Sequence, residues 1–555
     1  MKEYTTDKIR NLCLAGQRGC GKTCLGDAIA FCTGANNRIG RVDEGSSILD
    51  HTNIEISRKT SISCKLLAIP WKDTKVNLFD CPGHADFVGE MMSCLKVTDT
   101  ALMVINATSG VEIGTQLQWK IMSSFNMCRL FFVNKIENDN VIWQKNLDTI
   151  SETFGKQAIP VQLPIGVSQD FKGIVDLLSM KAYAYDADGN RSETEIPTDL
   201  KEIAASLHEK LIEIAAEGDD ELLEKFFEEG TLSDAEVTQG IRKSIVTGKF
   251  YPILCGSAVR NIGVKLLLDF ANKYLPSPGE MPSPVVVKTG TEDQVELSVD
   301  SSGKPLAYVF KTVSESHLGD LSYIKMLSGT AKSGLDLLNK QSNNNERITQ
   351  IYTFQGKNRV DNSSITAGDI GVLVKLKNTH TGDSLSVPGL DVSVPPLEFP
   401  VPVMDVAIKA KTKGDEEKIA AGLTKLHEED PTFRIISDAA LGQQVLYGQG
   451  PTHIEVLTEK LKIRFGVDVE LTKPKIPYRE TVKGKTETQY RHKKQSGGRG
   501  QFGEVYIRVE PNMRGAGFEF INSIKGGVIP SKFIPAVEKG IVESMQKGGL
   551  AGSQV

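Results

Sequence analysis

No apolar run in this 555-residue chain approaches the roughly 18 residues that a membrane-crossing helix needs. The first ten residues, Met1 to Arg10, are polar and charged and hold no signal-peptide core. All nine cysteines (13, 20, 24, 32, 64, 81, 94, 128 and 255) fall in the first half. Their number is odd and no C-x-x-C pair occurs, so neither a disulfide framework nor a zinc site is favoured, and free thiols in a reducing compartment are expected. Charge of one sign is lacking too: 65 Lys and Arg stand against 70 Asp and Glu, for a net −5, so overall charge does not advertise a nucleic-acid binder. There is no internal repeat and no low-complexity tract. With 40% hydrophobic and 24% charged residues, 51 Gly and 23 Pro, the composition is that of an ordinary globular protein, which excludes disorder, collagen and coiled coil as descriptions of the whole. At about 150 residues per domain, three to four domains are expected. The reading is a cytoplasmic, multidomain α/β chain without a membrane partner.

What is present divides the chain. KIRNLCLA (8–15) is a short β-prone run that leads into a Gly-rich turn and a helical stretch, Thr23 to Phe31. Apolar runs at Val76–Phe79, Ala101–Asn106 and Leu130–Val133 alternate with helix-length segments, the pattern of a mostly parallel sheet flanked by helices. The pattern breaks between about 160 and 250. Residues 191–240 carry fifteen Asp and Glu against four Lys and Arg, which reads as an acidic helical insertion. LPSPGEMPSPV (275–285), with four prolines, is the clearest boundary. Short β-rich segments follow to about Ser386 and predict a β-barrel. A Pro-rich stretch at Val394–Val403 marks the next boundary, and Val403 to Glu470 reads strand, helix, strand, strand, helix, strand, a ferredoxin-like α+β pattern. The expected domains are 1–283 with an insertion at 160–250, then 284–400, 401–477 and 478–555.

Four elements carry chemistry. Gly16-Gln17-Arg18-Gly19-Cys20-Gly21-Lys22-Thr23 fits G-x-x-x-x-G-K-[ST] between a strand and a helix. Backbone N–H groups of such a loop cradle phosphates, Lys22 reaches the outer ones and the Thr23 hydroxyl ligates Mg²⁺. ATP and GTP remain open at this step. Asp80-Cys81-Pro82-Gly83-His84 follows a strand: Asp80 can hold Mg²⁺ through water, Gly83 permits a turn that approaches a γ-phosphate, and His84 is placed to orient the attacking water. Asn134-Lys135-Ile136-Glu137 follows the next strand but one. A carboxylate at 137 can accept from guanine N1–H and N2–H₂, a donor pair that adenine lacks, which moves the choice to GTP. Gly256-Ser257-Ala258 would add backbone contacts to the base.

At this point the chain resembles elongation factor G, a family of translational GTPases. The likeness rests on FDCPGHADF (79–87), TAGDIGVLVKLKNTHTGDSL (366–385), KLHEEDPTFRI (425–435), GQGPTHIEVLTEKLKIRFGVDVELTKPKIPYRET (448–481), KQSGGRGQFGEVYIRVEP (494–511) and FEFINSIKGGVIPSKFIPAVEKGI (518–541). It implies a GTPase domain with an inserted subdomain, a β-barrel, a ferredoxin-like domain III and a partial domain IV. It also implies GTP/GDP and Mg²⁺ as ligands. The phosphate loop, Asp80 and Gly83 would serve the phosphates, with Thr23, Ser61 and Asp80 for the metal. Asn134, Lys135, Glu137, Ser257 and Ala258 would serve guanine, and His84 would be catalytic. The partner implied is the ribosome (large-subunit RNA, decoding region, stalk proteins), with tRNA and mRNA moved indirectly by a monomeric factor. Residues 479–508 support this separately: eight Lys and Arg against three acids, with Tyr490, Phe502 and Tyr506 interleaved, suit RNA phosphate contact. Lys493, Lys494, Arg499 and Arg508 are the contacts expected there.

The chain departs from the family where hydrolysis is controlled. Arg18 and Gly19 stand where the family has an apolar residue and Asp, Arg58-Lys59-Thr60-Ser61-Ile62 where its first switch reads Arg-Gly-Ile-Thr-Ile, and Glu137 where it has Asp. Misplacing a positioned group by about 1 Å can cost on the order of a hundredfold in rate. GTP binding is therefore expected to persist while ribosome-stimulated hydrolysis is slow or absent. The alternative to a translocase is a regulatory, recycling or protection paralogue on the same ribosomal site. The family also continues beyond its counterpart of GGLAGSQV, so domain IV is expected to be incomplete here, with residues beyond about 480 poorly packed.

Overall fold

A computed structural model of the chain describes residues 2–186, 189–315, 319–438, 441–495, 497–498 and 500–555. They form two compact units, one of residues 1–405, 409–436 and 446–470, the other of 406–408, 437–445 and 471–555. No helix among the described residues is long and apolar enough to cross a membrane.

The first unit is organised on strands β1 (Ile9–Ala15), β2 (Lys65–Trp71), β3 (Thr74–Asp80), β4 (Thr100–Asn106), β5 (Cys128–Asn134), β6 (Ala158–Pro160) and β7 (Tyr251–Cys255). Their order is β2-β3-β1-β4-β5-β7-β6. Every pair is parallel except β2 with β3. Strands covered on both faces read as unbroken apolar runs, and all residues of β1 and β3 are buried. Successive side chains alternate between two cores. Leu12, Leu14, Leu102 and Val104 meet Leu25 and Ile29 of helix α1 (Lys22–Cys32) on one face. Cys13, Ala15, Phe79, Met103 and Phe131 line the other.

The insertion is more than helical. Four antiparallel strands, from Gln162–Ile165 to Arg191–Thr194, precede the helices Thr198–Glu217, Asp220–Glu229 and Asp234–Val246. The last strand is exposed throughout, so it shows no apolar alternation to betray it. Ser233 starts its helix with a capping box to Glu236, the S-x-x-E signature.

Antiparallel strands from Leu306–Glu315 to Ser384–Ser386 pack around Ala307, Val309, Ile324, Met326, Leu337, Ile351, Leu373 and Leu385, a β-rich region where a barrel was expected. Its strand Ile351–Gln355 also meets the β1–β7 sheet, Gln355 opposite Leu67 of β2. A buried ion pair, Lys75 with Asp369 at 2.8 Å, joins the same two regions. Beyond the β-rich region the elements Met404–Ala410, Glu416–Glu429, Arg434–Asp438, Gln443–Gly448, Pro451–Phe465 and Val469–Thr472 run strand, helix, strand, strand, helix, strand.

In the second unit, strands Thr486–Lys494 and Gln501–Val509 pair antiparallel, with Lys493 opposite Phe502. The helix Ile534–Lys547 buries none of its residues. The Glu480 carboxylate gathers the final turn by accepting from the backbone N–H groups of Gly549, Leu550, Ala551 and Ser553.

Candidate functional site

The site lies at the carboxyl ends of β1, β3, β4, β5 and β7, where open α/β sheets place their ligands. The turn from β1 into α1 needs glycine at Gly21, whose φ of 95° is left-handed and whose absent Cβ leaves room for the Asn134 amide. Lys22 is buried, its ammonium donating to the carbonyls of Gly16 (2.8 Å) and Gln17 (3.1 Å). Gln118, which no motif marks, accepts from the Gly16 N–H (2.5 Å) and pins the start of the loop. Arg18 and Gly19 are exposed at its tip.

A cluster of hard oxygen donors sits beside the lysine. The hydroxyls of Thr23 and Ser61 are 3.0 Å apart, and Ser61 donates to Asp50 Oδ2 at 3.0 Å. Both oxygens of buried Asp80 and Oδ1 of buried Asp50 have no hydrogen-bond partner at normal geometry. Burial pushes both carboxyls upward; the Asp80 charge adds to the rise at Asp50, and the Lys22 ammonium only partly offsets it at Asp80. Orphaned carboxylate oxygens converging with two hydroxyls suit a hard divalent cation such as Mg²⁺, whose charge would keep both carboxylates ionised. The structure brings Thr23, Ser61 and Asp80 together, with Asp50 beside them. Asp50 was not foreseen, because nothing in Leu49-Asp50-His51-Thr52 marks it.

The segment carrying Ser61 is held by Glu55. Helix α2 (Asn53–Arg58) begins with a capping box between Thr52 and Glu55. The Glu55 carboxylate then accepts from the N–H groups of Ile62 (3.3 Å) and Ser63 (3.4 Å) and pairs with Lys65 at 3.2 Å. Lys59 ends the helix at φ 49°, and the Thr60 hydroxyl folds back onto the Arg58 carbonyl at 3.1 Å.

The turn after β3 lies against the phosphate loop. A Cβ on Gly83 would fall 2.8 Å from Arg18 N and from Gly16 O, so only glycine allows this approach. His84 follows, 27% exposed, and its Nδ1 accepts from the Asp86 N–H at 3.2 Å. That bond places the ring proton on Nε2, the nitrogen left free. Asp86 Oδ2 accepts from His453 N (3.1 Å), and His453 Nε2 meets Asp430 Oδ2 at 2.9 Å. Burial opposes ionisation of Asp430, yet His453 and Thr432 hold its carboxyl well below the usual range. Arg58 reaches Glu455 (3.0 Å) and Glu459 (3.1 Å) on the same helix, Pro451–Phe465. These partners are 23 to 401 residues apart in sequence, so no local signal could have found them.

On the far side, Asn134 is a brace. Its amide donates to the Cys20 carbonyl and accepts from Ala258 N–H, both at 3.0 Å. Lys135 donates to the Gly19 carbonyl at 2.8 Å. Ser257 is buried and its hydroxyl accepts from Arg260 N–H at 3.1 Å. Glu137 Oε2 is buried without a partner, an open acceptor for a donor pair such as guanine's. It borders a hollow also lined by Thr108, Asn138, Asp139, Gln169 and Arg260.

In the second unit Lys493, Lys494 and Arg508 are all on the hairpin, with the two lysines exposed and Arg508 paired to Glu510 at 2.8 Å. Tyr490, Phe502 and Tyr506 are exposed among them, as stacking on bases requires. Arg499 lies outside the described residues.

Comparison with known proteins agrees along the chain. Residues 7–277 match the family described as Elongation factor Tu GTP binding domain. Residues 304–388 match Elongation factor G domain 2, 399–473 match Elongation Factor G, domain III, and 474–555 match Elongation factor G, domain IV. A crystal structure of a protein from Thermus thermophilus superposes with a TM-score of 0.83 at 32% identity, covering 99% of this chain and 79% of that one. A GTPase domain, a domain 2, a domain III and a domain IV thus follow one another in the order that the motifs announced, and the chain belongs to the elongation factor G family of translational GTPases.

Proposed function

We propose that this chain binds GTP with Mg²⁺ and acts on the ribosome, promoting translocation of tRNA and mRNA. The observation that carries the nucleotide part is the pair of orphaned acceptors at opposite ends of one site, Asp80 with Asp50 at the phosphate end and Glu137 Oε2 at the base end. In this reading Lys22 and the backbone of 16–23 bind the phosphates, while Thr23, Ser61, Asp80 and Asp50 hold the metal. Glu137 selects guanine, and Asn134, Lys135, Ser257 and Ala258 shape its pocket. Mg²⁺ would supply charge neutralisation at the outer phosphates. His84 Nε2–H orients the attacking water, steadied through Asp86, and large-subunit RNA draws it into place. Lys493, Lys494, Arg499 and Arg508 contact RNA phosphates near the decoding region. The domain limits proposed are 1–283, 284–400, 401–477 and 478–555.

A second reading, a ribosome-binding regulatory or recycling paralogue that uses GTP as a ligand and hydrolyses little, is favoured by Arg18 and Thr60, polar residues where the family flanks the path of His84 with apolar ones. Single-turnover GTP hydrolysis with and without ribosomes separates the two. Strong stimulation supports the translocase; ribosome binding with GTP but no stimulation supports the paralogue. Equal affinity for ADP and GDP would overturn both.

A further inference from the structure

Four cysteines that share no motif converge in the core beneath this site. Cys13 lies on β1, Cys64 directly before β2, Cys81 directly after β3 and Cys94 on helix α3 (Val88–Leu95), and all four are buried. The registers explain the meeting. Lys65 faces Asp80 across the antiparallel β2–β3 pair, so Cys64 and Cys81 are the next cross-strand neighbours. Cys13 faces Phe79 in the parallel β1–β3 pair, and Cys81, two residues on, shares that face. The Cys64 and Cys81 sulfurs are 3.1 Å apart, and those of Cys13 and Cys81 3.2 Å. The sulfurs of Cys64, Cys81 and Cys94 all lie within 4.8 Å of one another. A tetrahedral thiolate site with metal–sulfur bonds of ~2.3 Å has its sulfurs ~3.8 Å apart, so the sulfurs at 3.1 and 3.2 Å would spread by roughly 0.6 Å to take an ion.

We infer that Cys64, Cys81 and Cys94 form a binding site for one thiophilic divalent cation of the zinc class, with Cys13 adjoining as the fourth sulfur. Three thiols lose their protons to solvent as three metal–sulfur bonds form, so binding releases three protons and leaves one net negative charge from the three thiolates and the ion. The Lys311 ammonium donates to the Cys64 carbonyl at 3.2 Å beside the cluster, its own charge already paired with Glu90 at 2.6 Å. Cys64 lies three residues after Ser61, and Cys81 follows Asp80. One ion would therefore fix the spacing between the two segments that carry these oxygen donors, and tie both to α3. None of these cysteines is among the residues assigned above to the nucleotide or its metal, so the site does not rest on that reading.

The test is metal content of the full chain, expressed under reducing conditions in medium supplemented with Zn(II) or Co(II). One ion per chain surviving gel filtration is expected, with thiolate-to-cobalt charge-transfer absorption in the Co(II) form. Cys94→Ser should weaken Zn(II) binding by at least about 100-fold, more than the loss of an outer-shell partner does. Cys128→Ser, outside the cluster, should leave it unchanged. Circular dichroism checks the fold of each variant, and should Cys94→Ser fail to fold, the wild-type Co(II) spectrum still decides. Absence of charge-transfer bands, equal affinity in Cys94→Ser and wild type, or a Cys64–Cys81 disulfide without metal uptake would each overturn the proposal.

Discussion

Lys75→Met isolates the energetic junction between the GTPase sheet and domain 2. Lys75 is 1% exposed, and its ammonium donates to both oxygens of Asp369, each at 2.8 Å. Asp369 also accepts from the Asn77 amide (2.9 Å) and from its neighbour Ile370 N–H (2.8 Å). Methionine keeps the length of the side chain and removes the charge, leaving a buried carboxylate with two neutral donors. Such a broken pair costs about 3–5 kcal/mol. At a urea slope of about 2 kcal/mol per molar this lowers the midpoint by roughly 1.5–2.5 M. The three tryptophans, Trp71, Trp119 and Trp143, all lie in the GTPase part, so their fluorescence follows that region even if domain 2 unfolds separately. Asp369→Leu alone should cost a similar amount by stranding the ammonium. The double variant should recover at least half of the summed loss, because both charges leave together. A single-variant cost under about 1 kcal/mol, or strictly additive losses, would refute the view that this pair staples the two regions.

Three further outcomes are expected. Glu137→Ala should weaken GDP binding by about 100-fold, the scale of losing hydrogen bonds to a charged acceptor, with little change in melting temperature; fluorescent-GDP titration reads it, and unchanged affinity would remove Glu137 from the base pocket. Asp27 is fully buried with one oxygen unpartnered, and burial raises its carboxyl to about 6. An acid whose pKa is raised on folding stabilises least when ionised, so stability should fall as pH rises from about 4 through 6, by up to roughly 3 kcal/mol. Asp27→Asn should flatten that slope in urea unfolding at pH 5 and pH 7.5. Arg58→Ala should loosen the helix Pro451–Phe465 in hydrogen exchange by about 1 kcal/mol, since its partners Glu455 and Glu459 are 58% and 31% exposed. The difference should vanish in high salt.

The parts of this protein that are legible in the sequence are those whose physics is local. β1, β3, β4 and β5 are sealed on both faces, so each must be an apolar run, and the phosphate loop must be contiguous because its backbone wraps one group. Asp50 escaped notice because its role depends on where the α2 segment folds. Gln118 braces Gly16 from 102 positions away, and Lys75 meets Asp369 across 294. The thiol cluster is the sharpest case. Spacing argued against any cysteine site, yet strand register and one helix turn bring four thiols from separate elements into contact.

The geometry also bears on what the altered residues around Ser61 can do. Two segments border the phosphate end of the site, and both are gripped by one helix, Pro451–Phe465. Arg58 holds the first through Glu455 and Glu459, and Asp86 holds the second through the N–H of His453, which is itself fixed by Asp430. A ligand shifts such an arrangement only by its differential affinity for the states it distinguishes. The partly exposed Arg58 pairs set a low threshold of about 1 kcal/mol, whereas the largely buried Asp86 carboxylate accepts from the His453 N–H in a charge-assisted bond worth about 1.5–3 kcal/mol. The first segment is therefore the easier one to move, and Lys59 and Thr60 lie directly beside its anchor. On this argument their substitution acts first on how tightly the Ser61 segment is tethered, and on hydrolysis only through that tether. Arg58→Ala should then change the nucleotide off-rate more than Asp86→Asn does, while Asp86→Asn should lower the hydrolysis rate more than Arg58→Ala; the reverse ranking would sink the argument.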